Sequence, residues 1–267
     1  MSRPDAVPVL CYHGVGESSS RELARWQVSP ACLDEQLAYL RETGFQPVAC
    51  SEFASWLEDT VPVAAPRRPV VVTFDDAFTD FAVAHEILAR HRVPATLFVP
   101  TAHVSGRASW FRSPGARSAR ILSWEALADL HEQGIEIGSH GHRHLRLDEI
   151  PLGTVRDEVA LSRQLLEDKL GTEVKGFAYP FGCHDRNVVR VVAEAGFSYA
   201  CAVRNMLSGT DEAPFAIARI FPPNDGAGAE FARLVAAGAR PRRPGEAFRT
   251  KSWRVMRRVR ARMSTHP

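Results

Sequence analysis

Short runs of β-branched and aromatic residues alternate along the chain with longer stretches whose apolar positions recur three and four apart. The first kind reads as buried strands: "VPVLCYH" (7–13), "VVVTF" (70–74), "ATLFVP" (95–100), "IEIGSH" (135–140), "GFAYP" (176–180), "FSYACAV" (197–203) and "FAIARIF" (215–221). The second kind predicts helices over 29–44, from near Ser51, over 81–92, 123–134, about 153–170 and 185–195. Ser29 with Pro30 behind it, and Ser123 with Gly134 at the far end, supply cap residues where such helices need them. With "FQPVAC" (45–50) this makes about seven βα units without an internal repeat, the pattern of a parallel-stranded α/β fold. Periodicity does not say whether such a sheet opens or closes.

Composition changes little in that picture. The 267 residues are 45% hydrophobic and 24% charged, ordinary for a globular chain able to bury a large core. No apolar run approaches the roughly 18–20 residues of a membrane span. The opening "MSRPDAVPVLCYHGV" lacks the profile of a secretory leader, and five scattered cysteines form no CxxC pair. Both features predict reduced thiols and a cytoplasmic location.

Charge is more informative. The net +2 divides into a segment 240–267 at +9, with ten Lys/Arg and one acid, Glu246, and a remainder at −7. We therefore expect a catalytic body over 1–239 and a separate basic tail. A nucleic-acid enzyme more often spreads positive charge over its body, so that partner class is not expected. In "TKSWRVMRRVRARM" (250–263), Trp253, Met256 and Met263 share a helical face among arginines, the pattern of an interfacial helix drawn to an anionic membrane surface. A solvated arginine-rich end is the other reading.

The chemistry gathers at strand ends, where parallel α/β folds bind ligands. "VVVTFDDAFTDF" ends its strand with Asp75 beside Asp76. Adjacent carboxylates repel and resist desolvation, so a cation, a proton or a turn must compensate them. "GSHGHRHLRL" (138–147) offers His140 and His144, four apart, which share one side of a helical turn, with His142 pointing elsewhere. Two imidazoles and a carboxylate leave a metal ion an open position for water, and a second carboxylate is then free to take a proton. A helix cap for the aspartates and solvated histidines are the bland alternatives.

At these residues the chain resembles the polysaccharide deacetylases of carbohydrate esterase family 4, which share the NodB-homology domain. Thr73-Phe74-Asp75-Asp76 is their first signature, and His140-Gly141-His142-Arg143-His144 is similar to their second, with Gly141 where Ser or Thr is usual. The resemblance spans roughly 7–221 and implies a distorted (β/α)7 barrel of NodB type. It also implies Asp75 as general base and Asp76, His140 and His144 as ligands of one divalent metal ion, with Zn²⁺ the first candidate.

Two positions depart from the family pattern. Ala178 of "AYPFG" stands where an arginine usually holds the catalytic aspartate, and the usual C-terminal general-acid histidine is missing. "PVLCYHGV" instead resembles the permuted branch that includes poly-N-acetylglucosamine deacetylases, which makes His13 the candidate acid and Arg219 the candidate tether. A hydrogen-bonded core histidine and a surface arginine are the competing readings. Trp110, Phe111, Tyr179, Pro180 and Phe181 are candidates to line a sugar cleft. The activity implied is removal of the N-acetyl group from an N-acetylhexosamine of a glycan or lipid-linked sugar. Hydrolysis of another C–N bond, cyclic imide or amidine, and a catalytically inactive sugar-binding domain are the alternatives.

Overall fold

The structure is a computed structural model that describes residues 6–17, 20–57, 65–209 and 213–237. The basic tail, and with it the expected interfacial helix, lies outside the described residues.

The apolar run ahead of the two aspartates forms the hub of the sheet. In chain order the strands are β1 (Val9–Tyr12), β2 (Gln46–Val48), β3 (Pro69–Phe74), β4 (Thr96–Val99), β5 (Glu136–Ser139), β6 (Gly176–Ala178) and β7 (Tyr199–Cys201). All pairings among them are parallel, in the order β7-β6-β5-β4-β3-β1, with β2 against β3. Val71 pairs with both Val9 and Val48, while Thr73 pairs with Cys11 and Thr96. One edge of β3 therefore holds β1, and the other is shared by β2 and β4.

Helices α1 (Pro30–Glu42), α2 (Cys50–Leu57), α3 (Phe81–His91), α4 (Trp124–Glu132), α5 (Leu152–Leu170), α6 (Arg186–Glu194) and α7 (Ala229–Ala237) cover this sheet. The predicted caps form: the Ser29 hydroxyl accepts from the Cys32 N–H, and the Ser123 hydroxyl from the Ala126 N–H. Each satisfies an amide that the first helical turn leaves unpaired.

The segment 215–221 is not the strand its pattern predicts. Pro214–Ala216 makes a 3₁₀ turn, after which Ile217 bridges Cys201 and Ile220 bridges Leu10, both in parallel sense. The Ile217 N–H donates to the Ala200 carbonyl at 3.0 Å and the Ile220 N–H to the Val9 carbonyl at 2.9 Å. Four residues, 217–220, thus pass from β7 to β1, too few for a continuous ladder on either side. They join the two sheet edges into a distorted (β/α)7 barrel.

Strand alternation sorts the core. Val70, Val72 and Phe74 pack outward among the helices, whereas Val71 joins Val9, Phe98, Ala178, Tyr199, Cys201 and Ile217 inside the barrel. Phe53 and Trp56 of α2 belong to the same inner cluster. Position 75 continues the inward row of β3 at the C-terminal end of the barrel.

Candidate active site

Asp75 inherits its inward direction from β3, and Asp76, by simple alternation, would face away. It does not, because the backbone turns left-handed at Asp76 (φ 75°) and Ala77 (φ 54°). Such angles are costly for residues with a Cβ and persist only where surrounding structure enforces them. Both carboxylates end up buried at the strand ends, 3% and 4% exposed.

They are compensated in different ways. Arg219, wholly buried, grips Asp75 with two bonds: Nη1 to Oδ1 and Nη2 to Oδ2, each 2.7 Å. Its Nε donates to the Ala202 carbonyl and Nη1 also to the Thr73 hydroxyl, so the guanidinium is fixed before any ligand arrives. Burial alone would raise the Asp75 pKa, but the charge of Arg219 overrides it and holds the carboxyl well below the usual range. Asp76 has no such cation. Burial pushes its carboxyl up, and its Oδ1 accepts no hydrogen bond among the described residues.

The second signature supplies what faces that orphaned oxygen. His144 Nε2 lies 3.2 Å and His140 Nε2 3.6 Å from Asp76 Oδ1. One ligand atom from each of the three residues falls within 4.8 Å of the others. His140 Nδ1 is 2.8 Å from the Ala178 carbonyl, a bond that places the proton there and leaves Nε2 free as a donor atom. Burial lowers the pKa of both histidines, that of His144 to about 3, so both are neutral ligands at ordinary pH. Two neutral imidazoles and an unsatisfied carboxylate fit a divalent cation.

The helical turn expected over 140–144 is absent. The segment is an irregular loop with left-handed backbone at Gly141 (φ 75°) and His144 (φ 56°). Its shape comes from outside: the Gly141 and His142 carbonyls accept from the Thr101 and Ala102 N–H groups, and buried Glu158 takes the Arg143 N–H and guanidinium. His142 does point elsewhere, with Nδ1 2.9 Å from the Thr101 hydroxyl.

A cavity of about 300 Å³ opens over these groups. His13 lines it, and a ring nitrogen of His13, Cys11 Sγ and an Asp75 oxygen lie within 4.8 Å of one another. Burial lowers the His13 pKa against the opposing pull of Asp76 and Asp75. Trp110 and Phe181 flank His144, with ring centroids 4.3 and 4.6 Å away, and Phe181 is 44% exposed. Phe111 also reaches the cavity.

Tyr179 and Pro180 do not. Tyr179 is fully buried, its hydroxyl donating to the Phe215 carbonyl at 3.0 Å and its ring stacked on His184, while Pro180 lies buried against Gly141. The left-handed turn at Phe181 (φ 59°) sends that ring outward and leaves its two predecessors inside. In their place the structure brings Trp26, Phe221, Val203 and Arg146 to the cavity. The Trp26 and Phe221 rings lie 4.9 and 5.8 Å from that of His13, and the Arg146 guanidinium sits 4.1 Å over Phe181. Trp26 comes from a segment between a four-residue helix and a two-residue strand, where no periodicity pointed inward.

A parallel barrel with an arginine-held carboxylate beside a His-His-Asp cluster at its C-terminal end is the arrangement of a barrel hydrolase. Residues 63–200 match the family model of the polysaccharide deacetylases, and the chain belongs to that family. Poly-β-1,6-N-acetyl-D-glucosamine N-deacetylase of Staphylococcus aureus is 23% identical over 218 residues, 78% of this chain and 72% of that protein. Among solved structures, IcaB from Ammonifex degensii superposes with a TM-score of 0.74 at 24% identity, covering 88% of this chain and 97% of that one. The Streptococcus pyogenes deacetylase PplD, in complex with acetate, gives 0.71 at 22% identity, covering 84% and 95%. At such identity the structures speak for the fold, which is the NodB-type barrel.

Proposed function

We propose that the protein hydrolyses the acetamide of an N-acetylhexosamine unit in a glycan or lipid-linked sugar, releasing acetate and a free amine. The observation that carries this is the unequal treatment of two adjacent acids: Arg219 clamps Asp75, while Asp76 is left open toward two neutral imidazoles. A divalent cation held by Asp76, His140 and His144, for which this donor set suits Zn²⁺, would supply an acidified water and polarise the acetamide carbonyl.

Asp75 accepts the proton of the attacking water. A carboxylate kept this acidic by Arg219 is a weak base and works only on water already acidified, which ties its role to the neighbouring cluster. The oxyanion needs a backbone donor. The Tyr179, Gly182 and Cys183 amides are taken by the Cys201, Tyr179 and Pro180 carbonyls, and Pro180 has none, so the Phe181 N–H is the donor left in this turn. His13, across the cavity, protonates the departing nitrogen. Burial makes its protonated form the stronger acid. Trp26, Trp110, Phe181 and Phe221 offer apolar faces to the sugar.

A cytoplasmic position against the inner membrane face belongs to the same proposal, supported by the +9 segment 240–267 and by five free thiols. Salt-sensitive binding to anionic vesicles that is lost on truncation after Ala239 is the expected outcome, and equal binding by the truncated chain excludes the tail as anchor. For the activity, the assay is acetate release from N-acetylglucosamine oligomers alongside metal analysis. Metal-replete protein that releases no acetate from any N-acetylated sugar would return the cyclic imide and amidine substrates to first place.

A further inference from the structure

Beside the sugar cavity lies an open depression lined by Ser20, Arg21, Glu22, Arg25, Arg112 and Ser113. Two separate chain segments build it, and both follow the same plan. Trp26 faces the sugar cavity while its neighbour Arg25 lines the depression, and Phe111 faces the sugar cavity while its neighbour Arg112 lines the depression. A third recess shares Arg25 with the depression and His13, Trp26 and Phe221 with the sugar cavity.

The two segments are fastened together. The Glu22 carboxylate accepts from the Ser113 N–H at 2.7 Å and from the Arg112 N–H at 3.2 Å, and the Ser20 and Ser113 hydroxyls meet at 3.2 Å. Those amide bonds hold Glu22 ionised, so the depression carries three guanidiniums against one carboxylate. Among the described residues none of Arg21, Arg25 or Arg112 forms an ion pair. Three like charges that line one recess favour an anion there, and guanidiniums bind phosphate oxygens in pairs.

We infer that Arg21, Arg25 and Arg112 form a subsite for a phosphate group carried by the substrate, adjoining the N-acetyl sugar across Trp26 and Phe111. The inference rests on the deacetylase reading of the central cavity and narrows its substrate to a phosphorylated glycan or a sugar joined through phosphate to a lipid. Phosphate, not carboxylate, is favoured because its oxygens spread tetrahedrally and can pair with guanidiniums supplied by both chain segments.

The experiment combines binding and turnover. Inorganic pyrophosphate titrated into the full chain should bind saturably and weaken with salt, and Arg25→Gln with Arg112→Gln should reduce that affinity about tenfold or more. All three arginines are exposed, so these variants should fold, which circular dichroism verifies. In turnover, an N-acetylglucosamine phosphodiester should be preferred over a neutral oligomer by kcat/KM, and the double variant should lose that preference through KM. A water-soluble and a lipid-linked phosphodiester, compared directly, distinguish the two sources: equal kcat/KM places the phosphate in a soluble glycan, and a preference for the lipid form places it in a lipid carrier. Undiminished pyrophosphate binding by the double variant, or equal losses on neutral and phosphorylated substrates, would overturn the subsite. Acetate release from the neutral oligomer reads the central cavity separately, so the failure of one reading is distinct from the failure of the other.

Discussion

The two ends of the barrel handle a carboxylate in opposite ways. At the N-terminal end, Glu136 receives the Tyr199 hydroxyl at 2.8 Å, the Thr96 hydroxyl at 2.8 Å and the Ser51 N–H at 3.2 Å. Every donor there belongs to the protein, and none is charged. At the C-terminal end, Asp75 needs a buried guanidinium, and Asp76 keeps an oxygen with no donor at all among the described residues. Of the seven left-handed residues other than glycine among the described residues, Asp76, Ala77, His144 and Phe181 fall at or next to the groups that line the cavity, while Arg92 ends α3 at the other end of the barrel. A half-buried acid that its neighbours satisfy holds the fold together. One that they leave open, on backbone that costs energy to maintain, is shaped for something that binds.

That contrast breaks most visibly at the cluster. Asp76→Asn and His144→Ala should each lose nearly all bound metal and about 10³-fold or more in turnover, since each removes one of the three proposed ligands. Metal content by mass spectrometry is the decisive reading. Full occupancy in either variant would mean that the orphaned oxygen is a packing defect.

Asp75→Asn should separate the neighbours. Turnover falls by about 10³-fold while the metal stays, because a base is lost and not a ligand. The same change leaves Arg219 buried without a counter-charge, at a cost of about 3 kcal/mol in urea unfolding at neutral pH. The sign follows from the depressed carboxyl. Its stabilisation is fully present above the unfolded value near about 4 and is lost as pH falls from there toward the folded value. The variant's stability should therefore be flatter with pH on the acid side. A parallel pair of curves would deny Asp75 its special state.

Much of this was legible beforehand, and the limits are instructive. The strands of the sheet were readable as short runs of β-branched and aromatic residues, of which β3, buried at every position, is the clearest. The closing segment 217–220 was not, because it changes neighbours within four residues and Pro214 sets it off from a turn. Asp75, His140 and His13 follow from a strand direction, and Asp76 and His144 from their motifs alone, since each sits on left-handed backbone past its strand. Trp26 and Phe221 reach the cavity from loops, where only the closed barrel determines direction. Tyr179 misled for a related reason: one left-handed residue at Phe181 exchanges inside and outside.

A smaller effect is expected across the cavity. His13→Ala should lower kcat about 10²-fold with metal content unchanged. A group that must be protonated to act gives the basic limb of the pH–rate profile, with activity falling as pH rises through its pKa. Burial lowers that pKa, so the limb should begin below the value for a free imidazole and disappear in the variant. Near-normal kcat would make His13 a structural partner of Trp26.

Least of all should happen at the opposite end. In Glu136→Gln the amide nitrogen can turn toward Tyr199, whose hydroxyl rotates from donor to acceptor, while the retained oxygen still accepts from Thr96 and Ser51. What is lost is the strength an ionised acceptor adds to these bonds, about 1 kcal/mol of stability in urea unfolding. Metal content, kcat and the pH profile should match the parent protein, because no group at this end reaches the cavity. A change in kcat comparable to that of His13→Ala would show that the two ends are coupled through β5, which runs from Glu136 at one end to Ser139, just before His140, at the other. The barrel would then be a single strained unit, and the division between a satisfied end and an open one would fall.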